Sequence, residues 1–163
     1  MENGKSFVMT SGKSGVKSGT FEWYSPKWLF EALNVEFDLD VCAPVGGVAW
    51  IPAKKSFSLL DDGLAQQWLG NVWMNPPYNK PTPWINKFIE NNNGIALLPT
   101  TIGNWFLELW NDERTCWLAL KPMRFVSSNY EEAKMPMPSR SWLVAMGETN
   151  ITALKASGLG KLR

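Results

Sequence analysis

The sequence predicts an α/β fold with a mostly parallel sheet and an antiparallel end, and three observations predict it. Short apolar runs, each bounded by Gly, Pro or Asn, have the composition of strands buried on both faces. Between them lie stretches with helical spacing of apolar residues, two of which open on Ser-Pro or Thr-Pro. The order is helix, strand, strand, helix, strand, helix and then strands, which is the alternation of an α/β sheet.

The elements follow in chain order. Residues 1–19 repeat Gly, Ser and Lys without apolar periodicity and read as a flexible tail carrying Lys5, Lys13 and Lys17, so order is expected from Thr20 onward. Ser25-Pro26 is a helix start, with Ser as cap and Pro at the first helical position, followed by Trp28, Leu29 and Leu33 up to Asn34. Thr82-Pro83 repeats that signal before Trp84, Ile85, Phe88 and Ile89. A third helix is expected over about residues 101–111, with Ile102, Trp105, Phe106, Leu109 and Trp110 on its apolar face. Strands are expected within residues 35–42, 71–74, 95–98, 115–120 and 141–146. Residues 20–163 then make one domain, within the usual size range for a single core.

Composition narrows the chemistry. Of 163 residues, 45% are hydrophobic and 19% charged, the balance of a folded globule. There is no histidine, which excludes Ser-His-Asp and Cys-His catalytic units and His-ligated metals. Catalysis must rest on carboxylates, amides, backbone groups or a cofactor. The two cysteines, Cys42 and Cys116, are too few for a disulfide framework or a four-thiolate zinc site and read as buried thiols of a reducing compartment. No apolar window suits a membrane span or a secretion signal, so the expected compartment is the cytoplasm. A net charge of +1 is too balanced to hold nucleic acid by charge alone. The 10 tryptophans read mainly as core, with a minority left for stacking on bases or a cofactor.

The most informative stretch is Asn75-Pro76-Pro77-Tyr78, directly after the apolar run Val72-Trp73-Met74. Open α/β sheets bind ligands beyond the carboxyl ends of their strands, which is where this tetrapeptide falls. Two consecutive prolines remove two backbone donors and hold the chain extended. The Asn75 side chain and the Pro76 carbonyl are left as acceptors beside the Tyr78 ring. An exocyclic amine presents two N–H donors to such a pair, and a flat base stacks on the ring. A plain Asn-Pro turn is the competing reading of the same residues.

These residues resemble a family. Asn75-Pro76-Pro77-Tyr78 matches the (D/N)PP(Y/F) signature of amino-group DNA methyltransferases, and Asp62-Gly63-Leu64 with Trp68 ahead of it resembles the small phage and prophage Dam-type adenine-N6 enzymes. Trp23-Tyr24-Ser25-Pro26 resembles that family's W-x-(T/S)-P helix start, and Leu39-Asp40-Val41-Cys42-Ala43 its L-D-x-C-A strand end. Leu97-Leu98-Pro99 and Met123-Arg124-Phe125 are weaker matches, and the likeness spans about residues 20–146.

The resemblance implies a shortened Rossmann-like fold, S-adenosylmethionine as methyl donor, DNA with a flipped adenine as partner, and no metal. It implies Asn75, Pro76, Pro77 and Tyr78 as catalytic residues. It also implies a donor site built from Tyr24, Ser25, Pro26, Asp40, Cys42 and Ala43, with Asp62 favoured over Asp61 for the ribose hydroxyls. Asp40 is matched to the donor's ammonium group or a ribose hydroxyl. Two departures stand out: Ala43-Pro44-Val45-Gly46-Gly47 replaces the usual G-x-G loop, and the stretch from Asp40 to Asn75 leaves little room for two further βα units. With no separate recognition segment, base readout is expected from residues 79–81 and 127–138. Cytosine N4, RNA adenine and a protein glutamine are alternative acceptors for the same pair, and a catalytically silent single-strand-binding module is the alternative from another class.

Overall fold

The computed structural model describes residues 23–100, 103–127, 131, 133 and 140–163. The expected tail, residues 101–102 of the expected third helix and most of the 127–138 loop lie outside the described residues. The described elements are β1 (Trp23–Tyr24), α1 (Lys27–Leu33), β2 (Phe37–Asp40), β3 (Ala53–Ser56), β4 (Val72–Met74), α2 (Thr82–Asn91), β5 (Gly94–Pro99), α3 (Asn104–Trp110), β6 (Thr115–Leu120), β7 (Val126–Ser127), β8 (Ser141–Met146), α4 (Glu148–Ala156) and β9 (Gly160–Leu162).

Seven strands form one sheet in the order β3-β2-β4-β5-β8-β6-β9, and β1 pairs with β7 in a separate ribbon. The pairings of β3 with β2, β2 with β4 and β4 with β5 are parallel, whereas β8 runs antiparallel to both β5 and β6, and β9 antiparallel to β6. The expected mostly parallel sheet with an antiparallel end is therefore present.

Alternation along the strands divides the core between the two faces of the sheet. Phe37, Trp73, Ile95, Leu97, Leu118 and Leu143 face α1 and α4, while Leu39, Val72, Met74, Leu98, Trp117 and Val144 face α2 and α3. All six residues of β5 are buried, which is why its sequence is an unbroken apolar run. Helices α1 and α2 both end on asparagines in the left-handed region, Asn34 at φ 48° and Asn92 at φ 52°.

The helix starts differ from expectation by one position. Pro26 is itself the cap of α1, with extended angles of φ −69° and ψ 151°, and no side chain caps the helix. Ser25 is thereby released from capping and is 1% exposed. In α2 the cap is Pro81, so Thr82 and Pro83 are the first two helical residues.

Candidate functional site

Strand β2 sits between β3 on one side and β4 on the other, so successive connections leave it in opposite directions. Ligand crevices in open α/β sheets form at such a reversal, beyond the carboxyl ends of the strands. A cleft of about 260 Å³ including its open mouth lies there, and its wall includes Asp40 from the end of β2 and Asn75 just past β4. Tyr24, Ser25 and Cys42 complete the predicted residues that line it.

The turn after β2 is knit to both neighbouring strands. Phe57 N–H donates to the Asp40 carbonyl at 2.8 Å, Ala43 N–H to the Phe57 carbonyl at 2.8 Å and Val41 N–H to the Trp73 carbonyl at 3.1 Å. Gly46 and Gly47 adopt φ 86° and 72°, left-handed angles that side chains rarely take. The displaced glycines thus turn the chain back toward β3 after Pro44.

Asp40 is 3% exposed, and its Oδ1 accepts the Cys42 N–H at 3.2 Å. Burial pushes its carboxyl up to about 7, against the lowering effect of that hydrogen bond. Burial, together with the Asp40 charge, pushes the half-buried Cys42 thiol up to about 12, which makes it a poor nucleophile at neutral pH. The expectation of two fully buried thiols holds for Cys116 and not for Cys42, because the turn exposes one side of Cys42 to the cleft. Ser25 Oγ is buried without a hydrogen-bond partner among the described residues, although its backbone carbonyl accepts the Trp50 Nε1–H at 2.8 Å. A buried hydroxyl without a partner is costly, and a polar ligand in the cleft relieves that cost.

The remaining predicted residues fall around the cleft without lining it. Pro26 and Ala43 are buried behind the wall, and Pro76 is buried next to Asn75. Pro77 accepts the Lys80 N–H at 3.2 Å, closing the turn that leads into α2. The Tyr78 hydroxyl is buried against Ser141 at the start of β8, and burial raises its phenol above the ordinary range. Asp61 is committed to a turn, accepting both the N–H and the Oγ–H of Ser58 at 2.8 Å. Asp62 is exposed at φ 52° and stands away from the cleft wall.

Trp23, Pro44, Val48, Ile51 and Trp73 line the cleft and were not expected there. Trp73 carried only a strand signal, and Val48 and Ile51 belong to a loop without periodicity. Of the weaker matches, Pro99 does end β5, whereas Met123 and Phe125 are 5% and 2% exposed and belong to the core. Among the described residues no cluster of three or more His, Cys, Asp or Glu is placed to hold a metal, and no helix is long and apolar enough to cross a membrane.

Comparison with known proteins assigns the chain to a family. The model of the DNA N-6-adenine-methyltransferase (Dam) family matches residues 14–154. A DNA N-6-adenine-methyltransferase of Haemophilus phage HP1 is 31% identical over 101 residues, a match covering 55% of this chain and 57% of that protein. With a family match across most of its length and the tetrapeptide Asn75 to Tyr78 at a strand end beside the cleft, the chain belongs to the DNA N-6-adenine-methyltransferase family.

Proposed function

We propose that the protein transfers a methyl group from S-adenosylmethionine to the N6 amino group of adenine in DNA, and that residues 20–163 form one shortened Rossmann-like methyltransferase domain working in the host cytoplasm. The observation that carries the reading is the meeting of Asp40 and Asn75 in one cleft at the reversal of strand order. Family membership and the relative from phage HP1 support the same activity.

The cleft suits the donor by its chemistry. A buried carboxylate, a buried hydroxyl lacking a partner and the rings of Tyr24 and Trp73 surround one space. Asp40 receives a cationic ammonium group, and the Ser25 hydroxyl bonds a polar group beside it. When bound, S-adenosylmethionine supplies an electrophilic methyl carbon whose leaving group is a neutral thioether.

The protein's own task is positioning. Asn75 Oδ1 and the Pro76 carbonyl accept the two amino hydrogens of the base and turn the nitrogen lone pair out of conjugation toward the donor side. Held by Asn75 and the Pro76 carbonyl, that nitrogen would face the methyl carbon that a bound donor would supply, the neutral thioether being the leaving group and the surplus proton passing to water. No strong general base is needed, in keeping with a chain without histidine. Tyr78, its hydroxyl held at Ser141, offers its ring to the flipped base.

The test is transfer of labelled methyl to synthetic duplexes. Label is expected in duplexes that contain adenine and absent from those lacking it. Label appearing on cytosine in the latter contradicts the assignment of the acceptor.

A further inference from the structure

The segment between β3 and β4 is held in place by α2 in a way that reaches the turn after β2. Lys87 Nζ on α2 donates to the Leu64 carbonyl at 2.7 Å and also to the Gln66 carbonyl. The same ammonium lies 5.5 Å from the centre of the Trp68 ring. Trp68 in turn donates its Nε1–H to the Gly63 carbonyl at 2.8 Å and packs against Trp84 of α2 at 6.1 Å between ring centres.

Gly63 is where this assembly meets the turn after β2. A Cβ at that position strikes the Val41 carbonyl oxygen and lies 3.2 Å from the Trp84 ring, so only glycine lets the loop approach this closely. Val41 stands between Asp40 and Cys42, which both line the cleft. The loop therefore presses on the backbone of the turn from behind, with its pressing surface fixed by Trp68 and Lys87.

From this contact chain we infer that Lys87 and Trp68 are positioning residues for the methyl donor. They clamp the 57–69 loop so that Gly63 supports the Asp40-Val41-Cys42 turn in its donor-binding shape. The inference rests on the proposed methyl transfer and adds to it residues that touch neither donor nor base. Lys87 is suited to the role because one ammonium satisfies two loop carbonyls and a ring face together.

The experiment compares wild type, Lys87→Met, Lys87→Arg and Gly63→Ala by calorimetric titration with S-adenosylmethionine and by steady-state kinetics. Lys87→Met and Gly63→Ala are expected to weaken donor binding about tenfold, which corresponds to ~1.4 kcal/mol. KM for the donor rises in parallel, while KM for DNA and kcat stay within about twofold of wild type, the split expected when only donor binding is weakened. Lys87→Arg, which keeps charge, donors and ring contact, is expected to restore wild-type values. A general loss of stability moves the melting temperature without splitting the two KM values and overturns the inference. Should Gly63→Ala not fold, Lys87→Met decides alone. Wild-type donor binding with unchanged Lys87→Met binding overturns this inference only, whereas absence of donor heat from the wild type overturns it together with the proposed methyl transfer.

Discussion

In the proposed mechanism Asn75 is the residue on which transfer depends most. It lies just past β4, outside both core clusters, so Asn75→Ala is expected to leave the melting temperature unchanged while reducing transfer at least ~10²-fold, the usual loss when an oriented polar contact of the transition state is removed. Tyr78 separates two contributions. Tyr78→Phe keeps the ring and gives up only the buried contact with Ser141, costing about 1 kcal/mol of stability, whereas Tyr78→Ala also loses base stacking of about 1–3 kcal/mol. Equal damage in turnover by Phe and Ala makes the hydroxyl the working group. Asp40 gives a pH signature. Its carboxyl titrates near 7 in the folded protein against 3.8 as the ordinary value, so the folded state keeps a proton that the unfolded chain releases. Stability from this group therefore falls as pH rises from about 4 to about 7, and Asp40→Asn removes that slope. Donor binding runs the other way: a cation favours the ionised carboxylate, so affinity rises with pH through about 7 and then levels off. A flat profile in wild-type calorimetry contradicts the pairing of Asp40 with a cation.

Among the elements, those legible in the sequence were those with strong periodicity or an unbroken apolar run. The strands β4, β5, β6 and β8 and the helices α1 and α2 stand where expected because burial on both faces of a strand, or on one face of a helix, writes itself into the residue pattern. Strand β3 gave no such signal: its sequence is Ala53-Lys54-Lys55-Ser56, mostly exposed, at the sheet edge where lysines guard against further pairing. The two-residue strands β1 and β7 and the edge strand β9 are too short for any period to show. Helix α4 escaped for another reason, since its buried face includes a polar residue. Asn150 is fully buried, and the two hydrogens of its Nδ2 are shared among three acceptors, Asn71 Oδ1 at 2.8 Å, Asn93 Oδ1 at 3.0 Å and the Met146 carbonyl at 2.9 Å. These bonds tie α4 to the segments preceding β4 and β5, at the end of the sheet opposite the cleft. Asn150→Ala leaves those acceptors unpaired and is expected to cost about 1–3 kcal/mol in denaturant unfolding. Activity per folded molecule should not change, and a selective loss of activity contradicts a purely anchoring role.

At the scale of the whole molecule, the arrangement shows how much can be removed while the strand-end cleft is kept. Between the Asp40 turn and Asn75 the chain, described throughout, has two strands, β3 and β4, and no helix, in keeping with the short spacing of the motifs. The cleft is built on the neighbouring carboxyl ends of β2 and β4, with Trp23, Tyr24 and Ser25 and the loop that carries Pro44, Val48 and Ile51 as its remaining wall. Tyr24, Ser25, Asp40, Cys42 and Asn75 could be read as cleft residues from the sequence because they sit in motifs of unusual residue type at strand and helix ends. The apolar wall could not, since Trp73, Val48 and Ile51 are ordinary hydrophobic residues until the topology brings them together. Most tryptophans proved to be packing residues: Trp68, Trp73, Trp105 and Trp117 are buried, and among the described residues only Trp28 and Trp110 are classed as exposed. The proposed activity of this cleft is methylation of adenine at N6 in DNA. It is tested most directly by mass spectrometry of nucleosides from duplex DNA incubated with the purified protein and isotopically labelled S-adenosylmethionine. Labelled N6-methyladenine is expected from the wild type and none from Asn75→Ala. Unmodified adenine in the wild-type reaction, or equal labelling by both proteins, contradicts it.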